Sequence, residues 1–199
     1  MKKILILIAA VSLASCSLFQ RTVFEEDFNA IEEYHSNWDS KKYKAPGNII
    51  YAESAGIEES GCIKITSRRP THLSTKCLIG GLEPGKLYRV SVMAKSKNIK
   101  GNSGAAIFVG KNAEATLWNS SEPMKGSVQE WQEVFVDFMA DESGQAMICC
   151  GLGTPWDATS FGTVWFDNLK VKRAPFKADY NPESEHTLAI VEEEEPIEE

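Results

Sequence analysis

From Thr22 to about Arg173, short apolar segments alternate with groups of Gly, Pro, Asn and Ser. This spacing predicts antiparallel strands rather than helices. Leu87 to Ala94 shows the clearest period of two, placing Tyr88, Val90, Val92 and Ala94 on one face and Arg89, Ser91, Met93 and Lys95 on the other. Further strands are predicted over 61–67, 75–79, 105–109, 130–139, 146–152 and 163–172, and no long helical period appears. Turn chemistry separates them. In Glu83-Pro84-Gly85, Pro84 fixes φ and Gly85 tolerates the positive φ of a type II turn. Phe166, Leu169 and Val171 cannot share one face under strict alternation, so either a bulge lies near Asp167-Asn168 or they face opposite sides.

The two ends read differently. Lys2 and Lys3 precede an apolar run over 4–11 and then small residues, the layout of a secretory leader. The run is about ten residues long, too short for a spanning helix of about 20. Leu13-Ala14-Ser15-Cys16 resembles the lipobox of bacterial lipoproteins. That resemblance implies removal of 1–15, lipidation of Cys16, a short tether over 16–21 and a domain held close to a membrane by acyl chains. Ser17, in place of Asp, points by analogy with enterobacterial sorting to the outer membrane. From 174 to 199, Pro175, Pro182, Pro196 and the Glu residues from Glu183 onward predict a disordered acidic tail.

Composition narrows the function classes. At 199 residues, the chain fits one domain over 22–173 with appended segments. A net charge of −7, more negative once Lys2 and Lys3 leave, argues against a nucleic-acid partner, whose phosphates demand a basic face. The three histidines, His35, His72 and His186, are scattered, and neither a phosphate loop nor a nucleophile elbow is present, so no catalytic residue is assigned. Cys62, Cys77, Cys149 and Cys150 form an even set for an exported chain. A hairpin about Arg69-Pro70 would set Cys62 opposite Cys77, although a jelly-roll topology could place those strands on different sheets.

Four segments in series carry a family resemblance: Gly61-Cys-Ile-Lys-Ile-Thr66, Leu82-Glu-Pro-Gly-Lys-Leu-Tyr88, Trp131-Gln-Glu-Val-Phe-Val-Asp-Phe138 and Gly162-Thr-Val-Trp-Phe-Asp-Asn-Leu-Lys-Val171. Together they resemble the carbohydrate-binding modules of families four, nine and twenty-two, within the galactose-binding-like jelly rolls. The resemblance implies an all-β jelly-roll sandwich and a poly- or oligosaccharide as partner. It also implies a structural calcium ion held by Asp167 with Glu25, Glu26 or Asp27, the bland reading of Asp167 being a residue that closes a turn. Sugar binding needs accessible aromatic faces beside polar groups. Trp118 and Trp156, in polar and Gly/Pro-flanked segments, are the expected rings, with Asn119, Asp157 and Arg89 as polar companions. Trp131 is expected to cap the core, and Trp38 and Trp165 fit either role. The alternative is a structural envelope lipoprotein that binds another protein through its sandwich surface or acidic tail.

Overall fold

A computed structural model describes residues 21–43, 47–110, 117–175 and 186–187. The leader and the lipidation position Cys16 lie outside the described residues, as does most of the tail. Strands β1 (Thr22–Glu26), β2 (Asp39–Tyr43) and β3 (Gly47–Ala52) lead into β4 (Cys62–Ile79). They are followed by β5 (Leu87–Lys100), β6 (Ala105–Gly110), β7 (Leu117–Ser120), β8 (Gly126–Met139), β9 (Ala146–Leu152), β10 (Ser160–Arg173) and β11 (His186–Thr187). One helix, α1 (Ile31–Asn37), follows β1. No helix among the described residues is long and apolar enough to cross a membrane.

All the strand pairings are antiparallel, and they form two sheets joined through β4. The first half of β4 pairs with β3 and β10, giving sheet A in the order β3-β4-β10-β5-β8, with β1 alongside the far end of β10. Its second half pairs with β2 and β9, giving sheet B in the order β2-β4-β9-β6-β7-β11. The crossing falls at Arg68, Arg69 and Pro70, which are exposed. Pro70 has no N–H to donate to a ladder, and such residues are tolerated where a strand leaves one sheet for another. Ser67 stabilises this corner: its Oγ donates to the Arg69 carbonyl at 2.7 Å and accepts the Arg69 N–H at 3.2 Å.

This corner corrects the hairpin expectation. The segments 61–67 and 75–79 belong to one continuous strand, so Cys62 and Cys77 sit near its two ends rather than opposite each other. At roughly 3.3 Å per residue that separation is far beyond the reach of a disulfide. Cys62, Cys77, Cys149 and Cys150 are all free and buried. Within the segment expected to be a tail, His186 and Thr187 pair with Trp118 and Leu117.

The core lies between the sheets and follows the predicted alternation. Tyr88, Val90, Val92 and Ala94 of β5 face inward with Ile63, Ile65, Val164, Phe166, Leu169 and Val171. Phe166, Leu169 and Val171 share the core because the β10–β5 register slips between Asp167 and Lys170, where Asn168 has φ 49°. The predicted turn is present as well: Gly85 has φ 69°, and the buried Tyr88 hydroxyl accepts the Glu83 N–H at 2.9 Å.

Candidate functional site

Glycan binding requires rings that a sugar can reach, and the two outer faces of the sandwich differ in this respect. On sheet B, Phe108 and Cys149 are almost fully buried and pack with Met147 and Trp156. Trp156 meets Phe108 edge-on with ring centres 6.1 Å apart, and the His72 ring centre lies 5.8 Å from that of Phe108. His72 is buried too, and burial lowers its pKa to about 4. This cluster is an apolar patch in which Trp156 stays half-buried beside a neutral imidazole.

The predicted binding set is spread over the two sheets and one turn. Trp118 occupies β7 on sheet B, in register with Gly110 and His186. Asn119 is buried and donates from Nδ2 to the Asp137 carbonyl at 2.9 Å. Asp157 closes a tight turn, exchanging backbone hydrogen bonds with Thr154, and its carbonyl accepts Ser103 Oγ at 2.7 Å. Arg89 lies on sheet A, bound through two nitrogens to Asp137 at 2.7 and 2.9 Å, with its guanidinium 3.9 Å from the centre of the Phe135 ring. The hydrogen bond to Asp137 raises the Arg89 pKa and keeps it charged. It lines a hollow of about 340 Å³ with Ser91, Glu133, Lys172 and Arg173.

The residues implied for calcium do not form a cage. Asp167 is fully buried, and both of its oxygens already face hydrogens: Ile57 N–H at 2.7 Å, Ser60 Oγ at 3.0 Å and Asn168 N–H at 2.7 Å. Glu25 pairs with Lys170 at 2.6 Å, Glu26 accepts the Phe28 N–H and Trp38 Nε1, and Asp27 accepts the Asn29 N–H. Among the described residues no group of three His, Cys, Asp or Glu is placed to hold a metal ion. In this arrangement the four carboxylates are engaged by donor hydrogens or, for Glu25, by the Lys170 ammonium, and a calcium ion would have to share or replace these partners.

The open site is on sheet A. Trp165 of β10 pairs with Lys64 on one side and Lys95 on the other, and Lys95 continues the row to Trp131 of β8. Lys64 Nζ lies 5.4 Å from the centre of the Trp165 ring, and Lys95 Nζ lies 4.4 Å from Trp131 and 5.7 Å from Trp165. These contacts are within cation–π range. Trp131 therefore does not cap the core; it stands half-buried on the solvent side, as does Trp165, whereas Trp38 is a core residue. Alternation counted back from the core residues Phe138 and Phe166 contains this signal, since both tryptophans fall on the opposite parity.

Beside this row, a groove of about 840 Å³ runs between β4, β10 and β5. Its walls include Trp165, Phe161, Thr66, Thr163, Asn98 and the cations Lys64, Arg68, Lys97 and Lys100. Thr66 and Thr163 face each other across the strands with Oγ1 atoms 2.8 Å apart. The concavity arises where irregularities in three neighbouring strands coincide. The β4 corner follows Ser67, the β10 register slips around Phe161–Gly162, and the β5 register slips between Ser96 and Ile99, where Asn98 has φ 55°. Bulges bend a sheet and increase its twist, so aligned bulges open a trough across it.

No family model and no curated protein matches the sequence. Solved structures do. The CBM22-1 xylan-binding domain of Paenibacillus barcinonensis Xyn10C is similar at 10% identity and a TM-score of 0.54, over 80% of this chain and 98% of that one. The CBM22-1–CBM22-2 tandem domain of the same protein is similar at 15% identity and a TM-score of 0.52, over 78% of this chain and 50% of that one. A Clostridium thermocellum Xyn10B structure containing CBM22-1 and GH10 modules with xylohexaose aligns at 15% identity and a TM-score of 0.48, over 76% of this chain but only 28% of that one. The chain thus has the jelly-roll fold of the family 22 carbohydrate-binding modules.

Proposed function

We propose that this protein is a non-catalytic carbohydrate-binding lipoprotein that holds a poly- or oligosaccharide in the sheet A groove. The observation that carries this reading is the combination, in one open trough, of the Trp165 and Phe161 rings with hydroxyl, amide and cationic groups. Rings supply the apolar contact for sugar faces, and the polar groups satisfy hydroxyls. The likeness to a xylan-binding domain supports a fold suited to this task. The non-catalytic part of this reading rests on the likeness of fold to a xylan-binding domain. The lipobox-like Leu13-Ala14-Ser15-Cys16 supports an anchor at the cell envelope, with the outer membrane as its site.

The test is affinity electrophoresis and tryptophan fluorescence of the chain from Ser17 to Glu199 against a panel of soluble polysaccharides. Retardation by at least one glycan, lost in Trp165→Ala and retained in Trp156→Ala, is the expected result. The reading fails if the folded protein ignores every glycan, which would favour the protein-binding alternative. Loss in Trp156→Ala alone would move the site to sheet B. Metabolic labelling of the full chain with a fatty-acid probe, abolished by Cys16→Ser, tests the anchor.

A further inference from the structure

The groove on sheet A carries charge of one sign. Among the described residues four cations line it, Lys64, Arg68, Lys97 and Lys100, and no carboxylate does. Among the described residues none of these four is in an ion pair, whereas Lys76, Arg89, Lys170 and Arg173 elsewhere on the molecule each hold an acidic partner. The nearby Lys95 is committed differently, donating to the Ala55 carbonyl at 3.0 Å while lying over Trp131. Arg68, Lys97 and Lys100 are exposed, so their charges are hydrated and available.

The chain as a whole is acidic, with a net charge of −7. A trough of cations without acidic partners among the described residues is a local reversal of sign on such a molecule. Like charges gathered without counter-charges repel one another, and an anionic ligand removes that repulsion as it binds. Neutral sugars offer no such compensation. The hydroxyls of Thr66 and Thr163 and the amide of Asn98 are suited to sugar hydroxyls, and the cations are suited to acidic substituents along the same chain.

Resting on the carbohydrate-binding reading of this groove, we infer that its ligand is an anionic glycan, a sugar chain carrying carboxylate or sulfate groups. Cations on two sides of Trp165, Lys64 and Arg68 on β4 and Lys97 and Lys100 on β5, would then meet acidic groups flanking a sugar seated on the ring.

Polygalacturonate and its fully methyl-esterified form present the same backbone with and without charge, and they form the central comparison. The chain from Ser17 to Glu199 is expected to bind the acid form at least about ten-fold more tightly in low salt, with affinity falling as salt rises. Lys97→Ala/Lys100→Ala is expected to weaken that binding about ten-fold and leave folding intact, since both side chains are exposed. Dextran sulfate against dextran distinguishes a sulfate-bearing ligand from a carboxylate-bearing one. Equal affinity for charged and uncharged forms in both pairs, with binding still lost in Trp165→Ala, overturns this inference and leaves the carbohydrate reading standing. Absence of binding to every glycan overturns both. Binding to phosphatidylglycerol vesicles that depends on Lys97 and Lys100, with no preference between charged and uncharged glycans, would assign the groove to lipid headgroups instead.

Discussion

Asp167 accepts the backbone N–H of Ile57 at 2.7 Å across 110 positions of sequence. The same oxygen takes Ser60 Oγ and the other takes the Asn168 N–H, so one buried carboxylate fastens the β3–β4 loop to the bulge of β10. Replacing it by Asn would turn an NH2 group toward donors. Asp167→Asn is therefore expected to lose about 2–4 kcal/mol, and Ser60→Ala about 1 kcal/mol, in urea unfolding. Because hydrogen bonds occupy this carboxylate, the melting temperature is expected to be the same in calcium and in chelator. A calcium-dependent rise would show that the loop rearranges around a metal.

How much of this was legible beforehand depended on how local each feature is. The β5 face from Tyr88 to Ala94 and the Pro84-Gly85 turn follow from rules acting over a few residues, and both are present; at Asp167-Asn168 alternation leaves a bulge and a split of faces open, and the bulge is what forms. The continuity of β4 was not legible, because Arg69-Pro70 reads as a turn until two sheets give each half of the strand its own partners. Nor could the groove be foreseen. It depends on irregularities at Ser67, Asn98 and Gly162 coming into line across strands distant in sequence. Trp156 is half-buried, and its edge contact with Phe108, a residue 48 positions earlier, is not a local feature of its Gly/Pro-rich segment.

His72 makes stability depend on pH in a defined window. Its pKa falls from 6.5 in the unfolded chain to about 4 in the fold, through burial. Between those values the unfolded state binds the additional proton, so stability rises with pH from about 4 to about 6.5 and is flat in this respect outside that range. The difference in unfolding free energy between the wild type and His72→Gln is expected to shift by about 3 kcal/mol across the window, to the disadvantage of the wild type at the acid end. Parallel urea titrations at pH 4 and pH 7 measure it. An unchanged difference would mean that His72 titrates alike in the folded and unfolded chain, and a shift of opposite sign that the fold holds it protonated.

The cysteines give a chemical test of the sheet assignment. Cys62, Cys77, Cys149 and Cys150 are free and buried, and burial raises the pKa of Cys62 and Cys77 to about 11. Cys149 belongs to the outer cluster with Phe108, and Cys150 to the core between the sheets, so neighbouring residues occupy separate environments. Thiol titration of the chain from Ser17 to Glu199 is expected to be negligible under native conditions and to count all of them in denaturant without reductant. A missing pair in denaturant would reveal a disulfide and a different arrangement of β4 and β9.

Gly162 links the groove to the stability of the sheet. It has φ 133°, and a Cβ there would lie 2.7 Å from the Asn98 carbonyl oxygen and 2.8 Å from Ile99 Cα, both backbone atoms of β5 that cannot swing aside. Gly126 also has a positive φ, 72°, but a Cβ there would meet nothing within 4 Å. Gly126→Ala isolates the conformational cost of a left-handed residue, about 1 kcal/mol. Gly162→Ala adds a backbone clash to that cost and is expected to lose about 2–3 kcal/mol in urea unfolding. The clash also pushes β10 away from β5 at the floor of the groove. Glycan affinity measured where both variants remain folded is therefore expected to fall in Gly162→Ala and to hold in Gly126→Ala. Equal affinity in the two would show that the groove does not depend on the close approach of Gly162 to Asn98.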